Sequence, residues 1–147
     1  MRRFEKLTNL SLYLAQFRPK CFDGKPILVV NQGKATSRLV NRSGIQVVIA
    51  RPEEHQTGDS DGYVSDLQTA IFVLEKDLSS DRTDETENEQ YVRLLDIAVG
   101  IMTEVEADAA ASCNEYLRGL TLASAGIVPE ASIFGGWSGY SIEISFE

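Results

Sequence analysis

Between residues 64 and 75 the chain carries apolar or small side chains on both parities, Leu67, Thr69, Ile71 and Val73 on one, and Ala70, Phe72 and Leu74 beside Gln68 on the other. Successive side chains of an extended strand point to opposite faces of its sheet, so a strand apolar on both parities must be covered on both sides. This predicts a long central strand in a layered fold. The flanking segments must supply the layers.

Upstream, Phe4, Leu7, Leu10, Tyr13 or Leu14, and Phe17 recur every three to four residues, which predicts an amphipathic helix over 3–16 closed by Pro19. After the turn pair Asp23-Gly24, the runs at 27–30 and 45–50 read as two strands, and the polar, basic stretch 31–44 between them reads as an exposed connection. Arg51-Pro52 ends the second strand, because proline cannot donate to a ladder, and 53–63 reads as a loop.

Downstream, 76–89 is an acidic linker rich in serine and threonine, in which Asp84 or Thr86 can cap the helix that follows. Acids in its first turn favour the helix dipole. Tyr91, Leu94, Leu95, Ala98, Ile101, Met102, Val105 and Ala109 fall on one stripe and predict that helix over about 87–112. An irregular strand over 117–128 and a connection over 129–136 come next. Tyr140, Ile142, Ile144 and Phe146 then alternate strictly with Ser141, Glu143, Ser145 and Glu147, which predicts a final strand with one face on the core and the other toward water or a partner.

At 147 residues the chain reads as one domain, 1–147, without internal repeats. Its 43% hydrophobic and 24% charged content is that of an ordinary globular protein, which argues against extensive disorder. The charge is divided along the chain: residues 1–51 hold ten basic and two acidic side chains, net +8, whereas 52–147 hold four basic and twenty acidic ones, net −16. If these halves keep separate surfaces, the molecule is a strong dipole suited to stacking on copies of itself or to bridging unlike partners. The overall −8 argues against nucleic-acid binding by whole-molecule attraction and leaves a local basic face open.

No signal-peptide core follows the basic start, and no apolar run approaches a membrane span, so the expected compartment is the cytoplasm and no membrane partner is expected. The sequons at Asn9 and Asn41 carry no weight there. Cys21 and Cys113 match no metal or redox spacing and read as two buried or half-buried free thiols.

The motifs that could carry chemistry are incomplete. Gly33-Lys34 after a strand lacks the first glycine and the terminal hydroxyl of a phosphate loop, having Leu28 and Ala35 instead. Asp59-Ser60-Asp61-Gly62 would place Thr57 and Gln68 where a calcium loop needs Asp and Glu. Gly136-Trp137-Ser138-Gly139-Tyr140 has Tyr140 where a nucleophile elbow needs glycine, and its glycines read as a bend admitting the last strand. His55, the chain's one histidine, reads as an exposed loop residue. Glu104 and Asp108, four apart on a helix, have no third ligand and read as a solvated acidic face. Trp137 reads equally as a contact anchor or as a cap on the core. No catalytic, cofactor or metal residues are therefore assigned, and the expectation is a protein that is not an enzyme and takes no small-molecule substrate.

The order of strand, acidic linker, long helix, irregular strand and Gly136-Trp137 leading into an alternating terminal strand resembles small bacteriophage tail-terminator and tail-completion proteins, over residues 64–147. The resemblance implies an α+β fold with the N-terminal and long helices packed on a mostly antiparallel sheet. It also implies a cofactor-free ring, commonly of six copies, that stops tail-tube growth and joins tail to head. The partners implied are further copies and other tail or neck proteins of a phage or prophage, with the bacterial cytoplasm and then the virion as location. A heterologous ring needs two unlike, complementary patches on each subunit. The candidates are Lys34, Arg38 and Arg42 on the basic side, Asp84, Glu85 and Glu87 on the acidic side, and Trp137 and Tyr140 as aromatic contacts. The basic stretch 31–44 has no counterpart in the resemblance. The alternative expectation is a cytoplasmic module that binds a protein or nucleic acid through its basic N-terminal third.

Overall fold

The computed structural model describes residues 5–58, 64–77, 83–110 and 114–147. In chain order these form α1 (Glu5–Gln16), β1 (Ile27–Val29), α2 (Gln32–Leu39), β2 (Ile45–Ala50), β3 (Glu53–Thr57), β4 (Val64–Lys76), α3 (Asp84–Ala110), β5 (Leu122–Ile133) and β6 (Trp137–Phe146). The strands make one sheet in the order β1-β2-β4-β6-β5, with β3 beside the first half of β4. Only the β1–β2 pair is parallel among the described pairings, and α2 is its crossover. The protein is an α+β domain with an N-terminal helix and one long helix, as the pattern of the sequence predicts.

One sheet face is fully layered. Leu10, Tyr13, Leu14 and Phe17 of the N-terminal segment and Leu94, Ala98, Ile101 and Val105 of α3 bury Val47, Ile49, Leu67, Ile71, Val73, Ile142, Ile144 and Phe146. Removing these side chains from water is the main stabilising contribution, at roughly 25 cal/mol per Å² of apolar surface. The opposite face is covered only at one end. There Ala35 and Leu39 of α2 close over Ile27, Val29, Val48, Leu74 and Trp137. Beyond them Gln68 and Glu143 are exposed. The central strand is therefore sheathed on both sides over its second half alone.

Four sequence expectations are corrected. The connection 31–44 contains α2: the Asn31 side chain accepts the Lys34 backbone N–H at 2.9 Å, capping a helix whose Ala35 and Leu39, four residues apart, are buried. The loop expected after Pro52 begins with β3, whose all-polar sequence hid a ladder to β4. Helix α3 starts inside the acidic linker, at Asp84, with Thr83 rather than Asp84 or Thr86 as its cap; Thr83 Oγ1 accepts Thr86 N–H at 3.3 Å and Thr86 Oγ1 accepts Thr83 N–H at 2.9 Å. Residues 115–119 form turns, and β5 runs on through Pro129 because it is an edge strand, where a missing donor breaks no ladder.

The last strand starts as its glycines suggest. Gly135 and Gly136 take φ of +86° and +100° in the turn before it. At Gly139 a methyl group would run into the Val73 carbonyl, so β6 can approach β4 only with glycine there. Asp77 holds this turn: it accepts from Ser138 Oγ and, at 2.7 Å, from Ser132 Oγ, and its N–H donates to the Gly136 carbonyl at 2.7 Å.

Candidate interaction surfaces

Lys25, Arg38 and Arg42 come together at the free edge formed by β1. Helix α2 runs back along the β1–β2 crossover, which brings Arg38 in its last turn and Arg42 in the turn after it to the start of β2, opposite the loop that carries Lys25. They line a cleft of about 710 Å³, floored by Phe22, Pro26, Ile27, Ile45 and Ile97. Among the described residues none of the three makes a salt bridge, and Asp23 is the one acid in the lining. Lys34 is exposed earlier on α2 and does not line the cleft.

Asp84, Glu85 and Glu87 form the acidic first turn of α3, with Asp84 and Glu85 exposed and Glu87 half-buried. This turn is anchored on β4 and β5. Buried Gln90 donates to Glu75 Oε1 at 3.0 Å and to the Lys76 carbonyl at 3.4 Å, Arg93 pairs with Glu75 at 2.7 Å, and Tyr91 Oη donates to the Glu130 carbonyl of β5 at 2.7 Å. Tyr140 is half-buried edge-on against Tyr91, centroids 5.7 Å apart. Trp137 is 2% exposed in the α2-side core, so its place is as a core residue and not as a surface anchor.

The uncovered end of the sheet is a third polar surface. Ser145 Oγ donates to Asp66 Oδ1, Gln68 Nε2 donates to Asp66 Oδ2 at 2.7 Å, and Ser141 Oγ donates to Glu130 Oε1 at 2.9 Å, while Glu143 stands exposed. The Ser145 bond, then that from Gln68, holds the Asp66 carboxyl below its usual range. A cleft of about 410 Å³ here mixes Arg51 with Glu53 and Glu143.

The paired acids of α3 are engaged rather than solvated. Asp108 accepts Tyr13 Oη at 2.6 Å, and Glu104 accepts the Lys20 N–H at 3.0 Å. Burial first, and the bond to Asp108 next, push the Tyr13 hydroxyl far above its usual range. His55 is exposed, on β3 rather than in a loop, 3.5 Å from Glu53. Cys21 is exposed, in place of the buried or half-buried thiol expected, and its Sγ lies 3.6 Å from the Ile97 carbonyl. Cys113 and the Asp59–Gly62 segment lie outside the described residues, as does 78–82 of the acidic linker. No group of three His, Cys, Asp or Glu that could hold a metal occurs among the described residues. No described helix is long and apolar enough to cross a membrane.

Sequence reasoning singled out Arg38 and Arg42 and missed Lys25, which is lone in its segment and joins them only through the crossover. It also missed Asp66 and Asp77, whose serine partners are 79 and 61 residues away. No protein-family model matches the chain, and no curated protein matches it.

Proposed function

We propose that the protein is a virion assembly component of the phage tail-terminator or tail-completion kind, which acts by joining copies of itself head to tail into a closed ring rather than by catalysis. The observation that carries this reading is a pair of unlike charged patches on one chain: a basic cleft beside β1 and the start of β2, and an acidic helix start anchored on β4 and β5. A closed heterologous ring requires such a pair of different patches on each subunit, whereas a two-fold dimer requires one self-complementary patch. The α+β architecture with the long helix leading into the β5–β6 pair is consistent with it.

Sedimentation velocity over a wide concentration range, at low and moderate salt, tests the reading. A discrete species near six copies that weakens as salt rises is expected, because opposed exposed charges are screened over about 10 Å at 0.1 M salt. A strict monomer under all conditions would count against it. The second reading, a module that captures an acidic protein or a nucleic acid, is favoured by one feature: Lys25, Arg38 and Arg42 line one cleft without salt-bridge partners among the described residues. It predicts salt-sensitive capture of a foreign partner by a chain that stays monomeric.

A further inference from the structure

We propose that the cleft beside β1 is the seat for the first two turns of α3 from a neighbouring copy; this rests on the ring reading above and specifies its contact. The charges of the two surfaces match. The rim of the cleft is cationic through Lys25, Arg38 and Arg42, and the helix start is anionic through Asp84, Glu85 and Glu89, all exposed. Exposed apolar side chains also occur near both surfaces in the sequence. Val40, Val30 and Val92 are the most exposed large hydrophobic side chains among the described residues, at 65%, 62% and 57%. Val40 lies between Arg38 and Arg42 in sequence, at the end of α2 and outside the lining of the cleft. Val92 lies seven residues after Glu85 and three after Glu89, on the same side of α3.

Within one chain, no salt bridge joins the two surfaces among the described residues. The cleft lies beside β1 and the start of β2, and the helix start is anchored on β4 and β5. Between copies, each chain offers both a seat and a helix start, the two unlike patches that a heterologous contact repeats around a ring. The apolar floor of Phe22, Ile27, Ile45 and Ile97 favours a polypeptide occupant over a phosphate backbone, which would leave that floor uncovered.

The test is a charge swap in the full-length chain, read by sedimentation velocity with thermal unfolding as a check on folding. Arg38→Glu with Arg42→Glu, or Asp84→Lys with Glu85→Lys, should each weaken self-association by about ten-fold or more, and the chain carrying all four should regain it. Cys21 lines the cleft and provides a second readout. In a Glu85→Cys, Cys113→Ser chain, a short bis-maleimide should join the introduced thiol to Cys21 of another copy and give a ladder of multimers. Rings that persist unchanged in both swap variants would overturn this contact while leaving the ring reading intact. A wild-type chain that is monomeric throughout would overturn both. Retention of duplex DNA lost on Arg38→Glu with Arg42→Glu, without self-association, would assign the cleft to nucleic acid instead.

Discussion

Asp66 receives two side-chain donors, Ser145 Oγ from β6 and Gln68 Nε2 from its own strand, and both stabilise the charged carboxylate. Its pKa in the fold is accordingly depressed. A depressed folded value makes a contribution to stability that is present above the ordinary carboxylate range and is lost as pH falls through the lowered value. Ser145→Ala removes the first of the two donors, so the Asp66 titration should move up toward the ordinary carboxylate value; carbon-detected NMR of the side-chain carboxyl measures it, and an unmoved midpoint would contradict the assignment. Single residues like these were poorly legible in the sequence. Trp137 could be read either way, since a tryptophan beside glycines suits a contact or a core, and only the closure of α2 over it decides. Asp66 and Asp77 gave no signal, because their meaning comes from serines brought to them by sheet register.

At the level of elements, periodicity located what packs extensively and passed over what packs sparingly. The stripe of α3 and the alternation of β6 each commit several side chains to the core, and both were readable in advance. Helix α2 commits only Ala35 and Leu39, so its eight residues looked like a polar connection until the capping residue is considered. Asn31 does much of the specifying. Asn31→Ala should destabilise the protein by about 1 kcal/mol, as loss of a helix cap ordinarily does, while Asn31→Ser should cost a few tenths. Denaturant unfolding of the two variants separates them, and equal stability of Asn31→Ala and wild type would show that the cap is dispensable. Strand β3 escaped notice for a different reason: its residues are all polar, and what holds it is a backbone ladder to β4, which side-chain patterning cannot report.

On the scale of the whole molecule, the division of charge was legible in the chain, but its spatial form was not. The sequence places basic residues early and acidic ones late; it is the parallel β1–α2–β2 crossover that gathers Lys25, Arg38 and Arg42 at one edge, and the anchoring of α3 by Gln90, Tyr91 and Arg93 that fixes the acidic helix start on β4 and β5. The position of β6 has a separate consequence. It follows every other element in the chain, yet it lies between β4 and β5 and pairs along its whole length with β4. During synthesis, β4 therefore emerges with an open hydrogen-bonding edge that cannot close until the final strand is available. Pairings of such wide sequence separation slow folding. Amide protection in β4 and β6 should thus arrive together and late in pulse-labelled refolding, after that of α3, and early protection of β4 alone would refute this order. Until then the nascent chain is a half-built sheet with a sticky rim, dependent on its last strand to become both folded and safe from its neighbours.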